Sequence, residues 1–117
     1  MDYFPIFLDL KQKTCLVVGG GEVALRKASI LAQSGAKVKV VSPTLSEGFD
    51  RLEVEHVAER FSAHHLDGMT LAIAATDDRE VNVEVSRLAR ERNIPVNVVD
   101  NPDLCSFVMP LSELGLN

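Results

Sequence analysis

The stretch from Thr14 to Leu31, TCLVVGGGEVALRKASIL, constrains the fold more than any other part of the chain. A short apolar run, Cys15 to Val18, has the composition of a buried strand. It stops at Gly19, Gly20 and Gly21, and a helical spacing begins at once. Within this switch lies G-x-G-x-x-A, formed by Gly19, Gly21 and Ala24, the small-residue variant of the dinucleotide fingerprint. Gly19 permits the tight turn out of the strand. Gly21 lets backbone approach a pyrophosphate with no Cβ in the way, and Ala24 lets the helix lie close on its strand. The unpaired amides and positive dipole end of that helix then face an anion. A bare glycine turn is the bland reading; a strand before and a helix after argue against it.

The rest of the chain repeats the strand-helix alternation. The helix after the glycines is expected over Glu22 to Ser34, with Ala24, Ala28, Leu31 and Ala32 on its inward face and Gly35 as the stop. Lys37 to Ser42 reads as the second strand, Leu45 to Leu52 as a helical turn or loop, and Glu53 to Ala58 as a more exposed third strand. Ser62 to Gly68 is a connection. The uninterrupted apolar run Thr70 to Ala75 suits a central parallel strand buried on both faces. Thr76-Asp77-Asp78 caps a helix over Arg79 to Arg92, with Val81, Val85, Leu88 and Ala89 turned inward. Pro95 to Val99 is the fifth strand, and Ser106 to Met109 a last extended piece. The predicted fold is α/β, a Rossmann-type parallel sheet in the order 3-2-1-4-5 with helices on both faces. Residues 1–117 are expected to form one dinucleotide-binding domain, in which 1–13 is an N-terminal arm or edge segment, interrupted by Pro5 and packed on the core.

With 12 basic and 17 acidic residues the net charge is −5, which argues against nucleic acid or an anionic membrane as the main partner. No run reaches membrane-spanning length and the N-terminus lacks a signal-peptide pattern, so the chain reads as cytoplasmic. The 2 cysteines, Cys15 and Cys105, have no metal-ligand spacing.

In this strand order ligands bind at the carboxyl ends of the strands flanking the switch point. Four loops are expected to meet there: Gly19–Val23, Ser42–Thr44, Thr76–Asp78 and Asp100–Pro102. The second strand usually ends in an acid that binds the adenosine ribose. Here the place holds Val41, Ser42, Pro43 and Thr44, and no arginine follows to hold a 2′-phosphate. Asp100 has two readings, a turn residue before Asn101-Pro102 and a general acid/base beside the nicotinamide. Asp77 and Asp78 suit helix caps. His56, His64 and His65 lack a third ligand at suitable spacing, so no metal site is expected. Arg26-Lys27 reads as a solvated helix face near the pocket mouth.

Four segments, MDYFPIFLDL, CLVVGGGEVALRKA, LAIAATDDREVN and NVVDNP, together resemble the N-terminal dehydrogenase/chelatase domain of the siroheme synthase and precorrin-2 dehydrogenase family. The resemblance runs in order from residue 1 to about Pro110. It implies NAD-dependent oxidation of precorrin-2 to sirohydrochlorin, then insertion of ferrous iron, a substrate, to give siroheme. It matches the family's catalytic aspartate to Asp100, and its cofactor contacts to Glu22, Val23, Pro43 and Thr44. With Gly19, Gly21, Ala24, Ser42, Thr76 and Asp77 these complete the expected NAD site. The resemblance also implies a tetrapyrrole substrate, a homodimer in the full-length family, and a fused or separate uroporphyrinogen-III methyltransferase. The pattern fades after Met109-Pro110, so residues 106–117 are expected to be the truncated start of a dimerisation segment, and most of the family's C-terminal dimerisation and helical regions to be lacking. The rival from another class is a non-catalytic NAD(H)-binding sensor, which needs only the glycine loop.

Overall fold

Five parallel strands, β1 (Thr14–Val18), β2 (Lys37–Val41), β3 (Val54–Val57), β4 (Leu71–Ala74) and β5 (Val96–Val98), form one sheet in the order β3-β2-β1-β4-β5. The computed structural model describes residues 2–109. Helix α1 (Glu22–Gln33) follows β1 and helix α2 (Arg79–Glu91) follows β4. Short 3-10 turns occupy Glu47–Arg51, Ala63–Leu66 and Pro102–Leu104.

Strand alternation divides the core between the two faces. Cys15 and Val17 of β1 join Leu71 and Ile73 of β4 beneath Ala24, Ala28 and Leu31 of α1. Leu16 and Val18 join Ala72, Ala74, Val96 and Val98 beneath Val85 and Ala89 of α2. A residue in β1 or β4 therefore meets a helix whichever way it points, which is why both strands are apolar throughout. Truncating fully buried Leu16 to alanine would cost roughly 2–5 kcal/mol.

The expected order and helix placement are present, with elements one or two residues shorter at their ends. Four expectations need correction. Lys27, read as solvated, is 2% exposed. It lies three residues after Ala24, on the same inward stripe as Ala28 and Leu31, whereas Arg26 is exposed. On α2 the polar residues Asn82 and Ser86 share the buried face with Val85 and Ala89. Ser106 to Met109 forms no strand. The Ser106 Oγ accepts the Val96 amide at 2.8 Å, taking a donor that a ladder would use. The N-terminal arm packs on the core at Leu10 rather than along its length. Leu10 is buried, but Phe4, Ile6 and Phe7 stand exposed, and Pro5 withholds an amide from any sheet edge. Met1 and 110–117, most of the expected dimerisation segment, lie outside the described residues. Among the described residues no helix is long and apolar enough to cross a membrane.

Candidate functional site

A groove of about 1010 Å³ runs across the carboxyl ends of β2, β1 and β4, at the upper end of the size of small-molecule sites, roughly 300–1,000 Å³. Its floor is the glycine loop, and each glycine has a different neighbour. A Cβ on Gly19, whose φ is +131°, would collide with the Ala75 carbonyl. A Cβ on Gly20 would collide with the Thr44 carbonyl and the Ser42 hydroxyl. Gly20 lies outside the fingerprint positions, yet it is the glycine that lets the β1 and β2 loops touch; its carbonyl also accepts the Ser46 amide at 2.7 Å. Gly21 differs from both. Its φ is −91°, open to any residue, and no atom lies within 4 Å of a Cβ built on it. Protein packing does not demand glycine there.

Gly21 is the N-cap of α1 and no side chain caps that helix. Its first-turn amides therefore lack the partner that helix ends ordinarily find. At α2 the equivalent amides of Glu80 and Val81 bond the Asp78 carboxylate. The uncapped end faces the groove through Glu22 and Val23, while Ala24, on the inward face of α1, is fully buried and outside the lining.

The loop after β2 contributes Ser42, Pro43 and Thr44. The Ser42 hydroxyl donates to the Thr44 carbonyl at 2.7 Å, and the His56 Nε2–H donates to the Ser42 carbonyl at 2.8 Å. Across the groove Thr76 and Asp77 line the wall after β4. Sequence reading missed the residue that holds this wall. Buried Asn82 donates to the Thr76 carbonyl at 3.0 Å and accepts from the Thr76 amide at 3.2 Å and hydroxyl at 2.7 Å. The only available signal was an asparagine on the apolar stripe of α2.

The fourth expected loop does not reach the groove. Asp100 stands exposed at the end of β5, in a left-handed conformation with φ +56°, and neither it nor Pro102 is among the lining residues. β5 lies outside β4, and the Val99 amide donates to the Ala74 carbonyl, so Asp100 comes level with the start of the β4 loop. Arg79 at the start of α2 bonds the neighbouring Asn101 side chain at 3.1 Å. The remaining wall comes from Glu59, Arg60 and Phe61 after β3.

A third donor beside the histidines does exist. Ligand atoms of Glu59, His64 and His65 lie within 4.8 Å of one another. The tautomer opposes a metal: the Ser62 amide donates to His65 Nδ1 at 2.9 Å, which puts the ring proton on Nε2. That nitrogen donates to Glu59 Oε1 at 2.9 Å and offers no lone pair to a cation.

The profile of the NAD(P)-binding family NAD_binding_7 matches residues 6–111. The chain is 56% identical over 115 residues to a siroheme synthase of Nitrosomonas eutropha and 52% identical over 114 residues to one of Photobacterium profundum. Each alignment covers 94% of this chain and 24% of the relative, so the chain spans about a quarter of these proteins' length. Among solved structures, SirC, a precorrin-2 dehydrogenase, superposes with a TM-score of 0.71 at 28% identity, over 91% of this chain and 51% of that one. The apo D-lactate dehydrogenase of Escherichia coli, at 17% identity and a TM-score of 0.58 over 78% of this chain and 29% of that one, shares the fold alone. The glycine loop, the parallel sheet and the family match agree: the chain belongs to the NAD(P)-binding family represented in the N-terminal quarter of siroheme synthases.

Proposed function

We propose that this chain is the nucleotide-binding domain of an NAD-dependent precorrin-2 dehydrogenase acting in siroheme synthesis. The observation that carries the reading is Gly21, where the space a Cβ would fill lies open beside uncapped helix amides. A pyrophosphate fits that cradle and those donors. Gly19, Gly21, Glu22 and Val23 would hold the phosphates, with Ala24 keeping the helix close. Ser42, Pro43 and Thr44 would hold the adenosine side, and Thr76 and Asp77 the nicotinamide side. Bound NAD would supply the hydride acceptor for oxidation of the tetrapyrrole. Asp100, the nearest carboxylate past β5, would take the accompanying proton. Ferrous iron enters afterwards as a substrate of the chelatase step. The similarity to siroheme synthases and to SirC supports this assignment.

Within it, residues 1–13 serve as an arm and 106–117 as the start of a dimerisation segment. The tetrapyrrole contacts, the homodimer and the methyltransferase partner belong to the longer cytoplasmic protein. The test fuses this chain to the C-terminal half of a precorrin-2 dehydrogenase such as SirC, of which the match covers 51%, and follows sirohydrochlorin formation from precorrin-2 and NAD. Turnover is expected, and Asp100→Asn should lower it by about 10²–10⁴-fold, the usual worth of a positioned acid/base. Undiminished turnover in that variant would remove Asp100 from the mechanism.

A further inference from the structure

The geometry points to Glu59 as the carboxylate that receives the adenosine ribose hydroxyls, a group the loop after β2 lacks. This inference rests on the nucleotide-domain reading above. In dinucleotide folds an acid at the end of the second strand accepts hydrogen bonds from the ribose. Here that loop is Ser42-Pro43-Thr44, and the Ser42 hydroxyl already donates to Thr44. The sheet register brings a substitute from the next strand. Val41 pairs with Val57, and the Ser42 and Glu59 amides both donate to the Val57 carbonyl, at 3.2 and 2.9 Å. Two residues distant in sequence thus hang on one oxygen, and both line the groove.

Glu59 is also aimed. The His65 side chain is 2% exposed, and its accepting Nδ1 fixes the ring proton on Nε2. That proton goes to Glu59 Oε1 at 2.9 Å. Among the described residues the second oxygen, Oε2, has no hydrogen bond or ion pair, which leaves it open to a hydroxyl. His65 is thereby a positioning residue, buried where it fixes the direction of an exposed acid. The specificity follows from charge. A ribose 2′-hydroxyl donates to the carboxylate, whereas a 2′-phosphate would set two anions together. Exposed Arg60, which lines the same groove without an ion pair among the described residues, is the group that would reverse this preference.

Calorimetric titration of the chain with NADH and with NADPH tests the assignment, with the melting temperature as the control for folding. The native chain should bind NADH more tightly. Glu59→Gln should weaken NADH about tenfold and leave NADPH no weaker, since the repulsion of the 2′-phosphate is relieved, so that discrimination collapses at constant melting temperature. Glu59→Asp should retain part of it. Equal loss for both dinucleotides, or no loss, would overturn the ribose role alone. Tighter NADPH binding that disappears in Arg60→Gln would overturn it in favour of a 2′-phosphate site. A native chain that binds neither dinucleotide overturns the nucleotide-domain reading, and this inference with it.

Discussion

Asn82 holds Thr76 at both ends of its side-chain amide. Its Nδ2 donates to the Thr76 carbonyl at 3.0 Å, and its Oδ1 accepts the Thr76 amide at 3.2 Å and hydroxyl at 2.7 Å. The Thr76 hydroxyl oxygen in turn accepts the Asp78 amide at 3.1 Å, so one buried asparagine sets the loop that caps α2 and forms one wall of the groove.

Asn82→Ala therefore leaves Thr76 groups unpaired near the core. It should lower unfolding free energy by about 1–3 kcal/mol, the cost of stranding buried polar groups, as read by urea denaturation. Asn82→Leu should be no better, because apolar volume restores none of the three bonds. Stability equal to that of the native chain would show that the loop holds itself.

The two inner glycines are predicted to be structural. Gly19→Ala and Gly20→Ala each force a Cβ against backbone carbonyl oxygen, of Ala75 and of Thr44. Each should cost more than the few tenths of a kcal/mol of an ordinary surface substitution, measured as a lower melting temperature without ligand. A stable Gly20→Ala variant would mean that the contact between the β1 and β2 loops is dispensable.

Cys15 gives a pH dependence. Burial in β1 raises its thiol pKa from 9.0 to about 11. The unfolded chain ionises first, so between pH 9 and 11 the native state binds more protons and stability falls as pH rises. The contribution is fully present below pH 9 and lost through pH 11, a change of roughly 2–3 kcal/mol. Denaturant curves at pH 8.5 and 11 should show this loss, and Cys15→Ala should reduce it. An unchanged pH slope in Cys15→Ala would contradict the assignment to this thiol.

What the sequence makes legible here is what depends on neighbouring residues. The change from a short apolar run to helical spacing at Gly19–Gly21 is local, and it gives β1, α1 and the loop between them. The uninterrupted Leu71–Ala74 run betrays a strand covered on both faces. Lys27 was recoverable from the stripe through Ala24, Ala28 and Leu31, but its charge outweighed its position. Gly20 and Glu59 were not recoverable in the same way, since each acts through a residue brought near by the sheet, whereas Asn82 reaches Thr76 only six residues away but its amide gives no pattern that periodicity reads. Glu59 reaches the groove because Val57 pairs with Val41, a register that no local pattern states. For Asp100 the sequence marks a strand end, and the sheet order sets its distance: β5 lies beyond β4 from the glycine loop, so Asp100 stands outside the lining of the groove.

Gly21 carries the central claim, and titration of Gly21→Ala with NADH tests it most directly. With open space around its Cβ position and φ −91°, the variant should fold with a native melting temperature. Its added methyl would occupy the phosphate cradle, so NADH affinity should fall by at least tenfold relative to the native chain, about 1.4 kcal/mol. A Gly21→Ala protein that folds and binds NADH as tightly as the native chain would contradict the account.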